Sequence, residues 1–191
     1  MRNVLLTIAL LALGSAAAPL AAQEIYVIDS THTTPMFEIS HMGMSQQRGF
    51  FTNTMGKITL DRISRRGALD IVIGTGSVTT ASRVLTDVLK REDYFNAEKF
   101  PVMTFSSRDF VFDGDVPVAA NGDFTLLGVT RPVSLRIAGF KCGRHPYTRQ
   151  AMCGAEVTTT ILRSEFGMTA GIPAAAGDEV RITIPVEAMK E

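Results

Sequence analysis

The sequence holds only two cysteines and three histidines, so few side chains could ligate a metal, form a disulfide or move a proton near neutral pH. Cys142 and Cys153 have ten residues between them, and an oxidised pair would staple one hairpin. That cross-link is worth roughly 3 kcal/mol on the loop-closure relation. A competing reading groups Cys142, His145 and Cys153 around a metal, but it lacks a fourth ligand and does not have zinc-motif spacing. His32 and His41 lie nine apart with Thr34-Pro35 as a turn between them, so they could meet across neighbouring strands. Asp29 and Glu38 would then offer a carboxylate for metal binding or general-base work, against the plainer reading of two structural histidines. Arg163 follows a strand at 157–162 and, if exposed, is the candidate contact for a polar head group; otherwise it is a solvated loop charge.

Motifs of chemistry are otherwise missing: there is no GxSxG elbow, no HExxH, no phosphate loop ending in Lys-Ser or Lys-Thr, and no GxGxxG opening a helix. The expectation is a protein that is not an enzyme and has no catalytic residue, metal or cofactor. A small metal protein or enzyme built on His32, His41 and Asp29 is the rival.

The elements that must position these residues follow a period of two. Phe37-Glu38-Ile39-Ser40, Leu69-Asp70-Ile71, Met103-Thr104-Phe105-Ser106, Phe124-Thr125-Leu126, Val133-Ser134-Leu135-Arg136-Ile137 and Val180-Arg181-Ile182-Thr183-Ile184 each put apolar residues on one face and polar ones on the other. Further strands fit at 26–29, 50–60, around Val111 and at 157–162, for eight or nine in all. Their separators are short and rich in Gly, Asn, Asp and Pro, so chain neighbours should pair as antiparallel hairpins and the sheet can close on itself. The reading is all-β: a single antiparallel barrel of about eight strands. One stretch breaks the rhythm, because Val84, Leu85, Val88 and Leu89 follow helical spacing, with Ser82 or Thr80 as N-cap; this predicts one short helical insertion at about 81–93.

Strand parity marks Phe37, Ile39, Ile58, Leu69, Ile71, Phe105, Phe124, Leu126, Leu135 and Ile182 as inward-facing, subject to a one-residue shift that would invert any strand. A barrel of this size is either filled by side chains or holds one small ligand. With 11 phenylalanines, nine methionines and no tryptophan, the inventory suits a flexible apolar guest as well as it suits an ordinary core.

Residues 1–22 read as a secretory signal peptide: Arg2, an apolar run at 4–13 and a small-residue stretch ending at Ala22. Cleavage there would leave one domain at 23–191, placed in a periplasm or other oxidising space where Cys142 and Cys153 would pair. Without Arg2 the balance is 18 basic to 19 acidic residues with no block of one sign, so no nucleic-acid partner is indicated. No run of 18 apolar residues follows position 23, and no stable membrane insertion is expected after the signal is removed. A homodimer is left open.

Several segments, in order, resemble the YceI-like, polyisoprenoid-binding proteins over about 26–188. They are Tyr26-Val27-Ile28-Asp29-Ser30-Thr31-His32, Phe37-Glu38-Ile39-Ser40-His41-Met42-Gly43-Met44-Ser45, Arg48-Gly49-Phe50-Phe51 with Gly56-Lys57-Ile58, and Asp93-Tyr94-Phe95-Asn96-Ala97-Glu98-Lys99-Phe100-Pro101. Gly122-Asp123-Phe124-Thr125-Leu126-Leu127-Gly128-Val129-Thr130-Arg131-Pro132 and Arg163-Ser164-Glu165-Phe166-Gly167-Met168 complete the set. The resemblance implies a lipocalin-like barrel enclosing a long isoprenoid lipid, such as an isoprenoid quinone or polyprenyl phosphate, for transport, storage or protection. A fatty acid or fatty amide in the same cavity is the alternative. The helix entry at 81–87 is less charged than the family's usual version, and the cysteine hairpin occurs in only part of the family.

Overall fold

The computed structural model describes residues 23–191; the signal-peptide reading of 1–22 lies outside the described residues. Eleven strands and one helix follow the chain. They are β1 (Glu24–Ile28), β2 (Met36–His41), β3 (Ser45–Phe51), β4 (Thr54–Asp61), β5 (Arg66–Gly74), β6 (Val78–Thr80), α1 (Arg83–Leu89), β7 (Val102–Asp113), β8 (Val116–Leu126), β9 (Val129–Arg144), β10 (Ala151–Leu162) and β11 (Ala176–Lys190).

Eight strands close the expected barrel in the order β1-β4-β5-β7-β8-β9-β10-β11, and β11 returns to β1. All ladders are antiparallel. The sequence reading merged β3 and β4 into one strand at 50–60; the structure breaks it at Thr52-Asn53, where the chain leaves one ladder and enters another.

β11 is long enough to serve two partners on one edge. Its lower end pairs with β1, with Ala188 opposite Ile28, and its upper part pairs with β2, with Thr183 opposite Met36 and Ala176 opposite His41. β1 and β2 therefore lie end to end along β11. From β2 the sheet continues through β3 to β6 and stops there. An open edge invites unwanted pairing. Here α1 packs against β6, and the chain at 90–101 leads on to β7.

α1 is shorter than the expected 81–93. Ser82 caps it, its hydroxyl accepting from the Leu85 amide, and Thr80 ties it back to the strand through the Thr86 hydroxyl. At the top of the barrel the tight β8–β9 connection puts Leu127 and Gly128 at φ of 52° and 74°, the left-handed pair that a two-residue hairpin turn with the right twist requires.

Two apolar clusters fill the barrel, a large upper one around Phe51, Phe105, Phe124 and Phe166 and a smaller lower one around Tyr26, Leu60, Cys153 and Ala188. Among the described residues no helix is long and apolar enough to cross a membrane.

Candidate functional site

Between and through these clusters runs one cavity of about 540 Å³, within the range of small-molecule pockets. All ten side chains marked inward by strand parity line it: Phe37 and Ile39 from β2, Ile58 from β4, Leu69 and Ile71 from β5, Phe105 from β7, Phe124 and Leu126 from β8, Leu135 from β9 and Ile182 from β11. Parity works because a strand half-buried on a curved sheet sends every second side chain to the same wall. The wall extends beside β11 from Ala176 to Ala188. At about 3.3 Å per residue and a barrel tilt near 40°, that is on the order of 30 Å.

Other parts of the wall were not marked. β1 contributes Tyr26 and Ile28, and β10 contributes Val157 and Ile161; the same alternation runs through both and would have found them. Phe51, Phe95 and Met103 add an aromatic and thioether patch, with Phe95 edge-on to Phe51 at 5.3 Å and Phe37 beside both. Phe95 follows α1 in an irregular segment, where no periodicity points to it. The Phe37 ring also lies across Gly49 on the facing strand, so a β-carbon at position 49 would collide with it. From α1, Leu85 and Leu89 point to the cavity, while Val84, grouped with them by helical spacing, is 75% exposed.

The wall makes few polar demands. Thr33 exchanges hydrogen bonds with the Glu187 backbone, and the Thr159 hydroxyl donates to the Ser134 carbonyl. The Thr54 hydroxyl is buried without a partner. At the lower end Tyr26, Leu60, Cys153 and Ala188 are all buried, with half-buried Phe140 and Val186 beside them, and burial, then the Glu24 carboxylate, push the Tyr26 phenol up to about 12. At the upper end the lining reaches the surface through exposed His41 and Ser82 and half-buried Gln47, Leu85 and Leu89.

Arg163 lines the cavity, but it is neither the exposed residue nor the solvated loop charge that the sequence suggests. It is 2% exposed, and its guanidinium donates to the carbonyls of Gly177, Met168, Ala170 and Ala176 at 2.8–3.3 Å. Burial lowers its pKa, opposed by Tyr94 and Asp178. The segment between Phe166 and β11 has no ladder to satisfy its carbonyls, and Arg163, with five donors in a fixed fork, supplies the missing partners. Four of these five donors go to backbone carbonyls, so Arg163 holds the upper rim.

The two histidines do not meet. His41 ends β2 opposite Ala176, whereas His32 sits by Glu187 at the other end of β11. β1 and β2 run end to end rather than side by side, so the segment between them separates these residues instead of folding them together. Asp29, His32 and Glu187 do cluster, on the outer side of β11. Burial would raise the Asp29 carboxyl, but hydrogen bonds from His32 and Thr31 bring it down to about 2. In return, the hydrogen bond to Asp29 and its charge raise the His32 pKa. Thr31 and Asp29 both contact the same imidazole nitrogen, Nδ1, at 3.0 and 2.7 Å. A relay from hydroxyl through imidazole to carboxylate needs the two ring nitrogens separately, so this arrangement orders a turn rather than activating a nucleophile.

Cys142 and Cys153 face each other across β9 and β10 and form a disulfide, which removes both thiolates from the three-residue metal reading. His145 turns its Nδ1 to the amides of Tyr147 and Thr148 in the hairpin loop.

A closed antiparallel barrel around an elongated apolar cavity, whose lining reaches the surface at the upper end, defines a binding protein for an apolar guest. The YceI-like domain matches residues 26–188, and the chain belongs to that family. A UPF0312 protein of Shewanella putrefaciens is 28% identical over 178 residues, 91% of this chain and 92% of its own. Among solved structures, BcnA of Burkholderia cenocepacia superposes with a TM-score of 0.70 at 20% identity, covering 84% of this chain and 98% of its own. A polyisoprenoid binding domain from Saccharophagus degradans gives 0.65 at 16%, covering 87% and 98%. At these identities the superpositions establish the fold.

Proposed function

We propose that this protein is a periplasmic carrier that encloses a long isoprenoid lipid in its barrel and performs no chemistry on it. The observation that carries the reading is the cavity itself: an apolar channel along the barrel, lined by few polar or charged groups. Each methylene removed from water contributes about 0.8 kcal/mol, so a chain of several isoprene units gains on the order of 10 kcal/mol before ordering costs. No directional contact is required of the tail. The likeness to the polyisoprenoid binding domain of Saccharophagus degradans supports an isoprenoid as the guest. Export is supported by the signal-like residues 1–22 and by a disulfide that would be reduced in cytosol. The ten parity residues are proposed as its contacts. A fatty acid or fatty amide would use the same walls.

The test is organic extraction and mass spectrometry of the full chain purified from a periplasm. We expect a stoichiometric polyprenyl compound; another stoichiometric lipid would keep the carrier and replace the cargo, and an empty barrel would refute the reading. Phe105→Asp and Leu126→Asp, each placing a carboxylate in the wall, should lose the lipid while remaining folded. Alanine at both His32 and His41 should leave the lipid content unchanged.

A further inference from the structure

We infer that the upper rim of the barrel docks on a lipid bilayer, with the tip of the β2–β3 hairpin and the outer face of α1 entering the surface. The inference rests on the lipid-carrier reading, because a guest with negligible solubility in water must enter from a membrane, and the rim surrounds the end where the cavity lining reaches the surface. Met42 and Met44 at the hairpin tip are 54% and 83% exposed, and Val84 on α1 is 75% exposed. His41, next to Met42, and Leu85, next to Val84, both line the cavity, so these exposed apolar residues adjoin its lining. The hairpin tip is held in place, because the Met42 amide donates to the Ala175 carbonyl, in the segment that Arg163 braces.

At α1 the wall is not a hydrogen-bonded ladder, since β6 pairs only with β3 and the helix packs against β6. A chain-like molecule can pass there by displacing side chains of one short helix, without breaking backbone pairs. Charges flanking α1 balance, with Arg83, Lys90 and Arg91 against Asp87, Glu92 and Asp93, all exposed. Attraction to an anionic surface is therefore not the driving term. Insertion of apolar side chains is, and a zwitterionic bilayer suffices.

The chain has no tryptophan, so one can be placed as a reporter. Met44→Trp in the full chain should shift its emission to the blue on addition of phosphatidylcholine vesicles, with little dependence on salt. Tyr147→Trp, 89% exposed on the disulfide hairpin at the lower end, should not. No shift at position 44, equal shifts at both positions, or a shift that follows protein concentration without vesicles would overturn the proposal; the last would assign the rim to a second copy. A requirement for anionic lipid would overturn the apolar mechanism. The triple variant Met42→Asp, Met44→Asp, Val84→Asp should take up a polyprenyl probe from phosphatidylcholine vesicles about tenfold more slowly, with equilibrium retention unchanged. An unchanged rate would count against the rim. Loss of retention in the wild-type chain with the Met44→Trp shift intact would instead overturn the carrier reading.

Discussion

The two ends of the barrel are made from the same kinds of strand and are finished in opposite ways. Below, the wall belongs to the closed eight-strand circuit, and cross-links reinforce it: the Cys142–Cys153 disulfide, the Arg62–Asp115 pair between two hairpins, Lys190–Glu24 between the neighbouring β11 and β1, and Lys57–Glu191 across β1 from β4 to the end of β11. Arg62 also lies over the Phe140 ring, 5.6 Å from its centre. Above, α1 has no buried residue and packs against β6, which pairs only with β3, and the loop leading to β11 is organised by one buried arginine. A ladder closes a barrel through backbone bonds that break cooperatively, whereas a packed helix can move alone. Local opening therefore costs less at the end that depends on side chains.

The sharpest way to break this comparison is Arg163→Ala. Four carbonyls, one buried and three half-buried, lose their donor, and we expect a loss of about 3 kcal/mol, read from the midpoint of urea unfolding. Arg163→Lys should recover little of it, because one ammonium cannot reproduce the fork. A loss below about 1 kcal/mol would mean that the upper loop holds its own shape. Opening the Cys142–Cys153 bridge by reduction should cost about 3 kcal/mol in thermal stability and leave emission changes at the rim unaltered. Equal effects at both ends would dissolve the distinction between them.

Thr54→Val should stabilise the empty protein by about 1 kcal/mol, since it replaces a buried hydroxyl with no partner by a methyl of the same shape. A fall in lipid retention in that variant would assign the hydroxyl to the guest. The smallest effect is the pH dependence of the turn at His32. Its pKa is raised above 6.5 in the folded chain, so its contribution is complete below that value and is lost as pH rises through the folded value. Asp29 contributes above 3.8 and loses its contribution as pH falls toward about 2. Between these limits hydrogen exchange at Thr31 and Thr33 should be slowest, and His32→Asn should remove the alkaline limb while sparing the rim.

Most of the wall was legible from alternation. Phe105, Phe124 and Leu126 sit in unbroken period-two runs whose apolar face must turn inward, and the barrel adds only the curvature that makes those faces converge. The cysteine pair was legible as well, because two residues in one hairpin meet through local geometry. Arg163 was not. Its neighbours Leu162, Ser164 and Glu165 look like any strand end, and what buries it is a loop that arrives from positions 168–177. His32 and His41 misled for a related reason: nine residues with a proline suggest a hairpin, and nothing local says that both flanking strands pair with β11 instead of each other.

The sequence by itself determined the all-β class, the place of the helix and the ten alternating side chains that form part of the cavity wall, because each follows from the periodicity of the backbone and the cost of leaving apolar groups in water. Only the tertiary structure decided that β11 is shared between β1 and β2, that the wall changes from ladder to helix at β6, and that the cavity lining reaches the surface at the upper end. These depend on backbone hydrogen bonds between segments up to about 160 residues apart, and such bonds are the same for every side chain, so no residue type announces them.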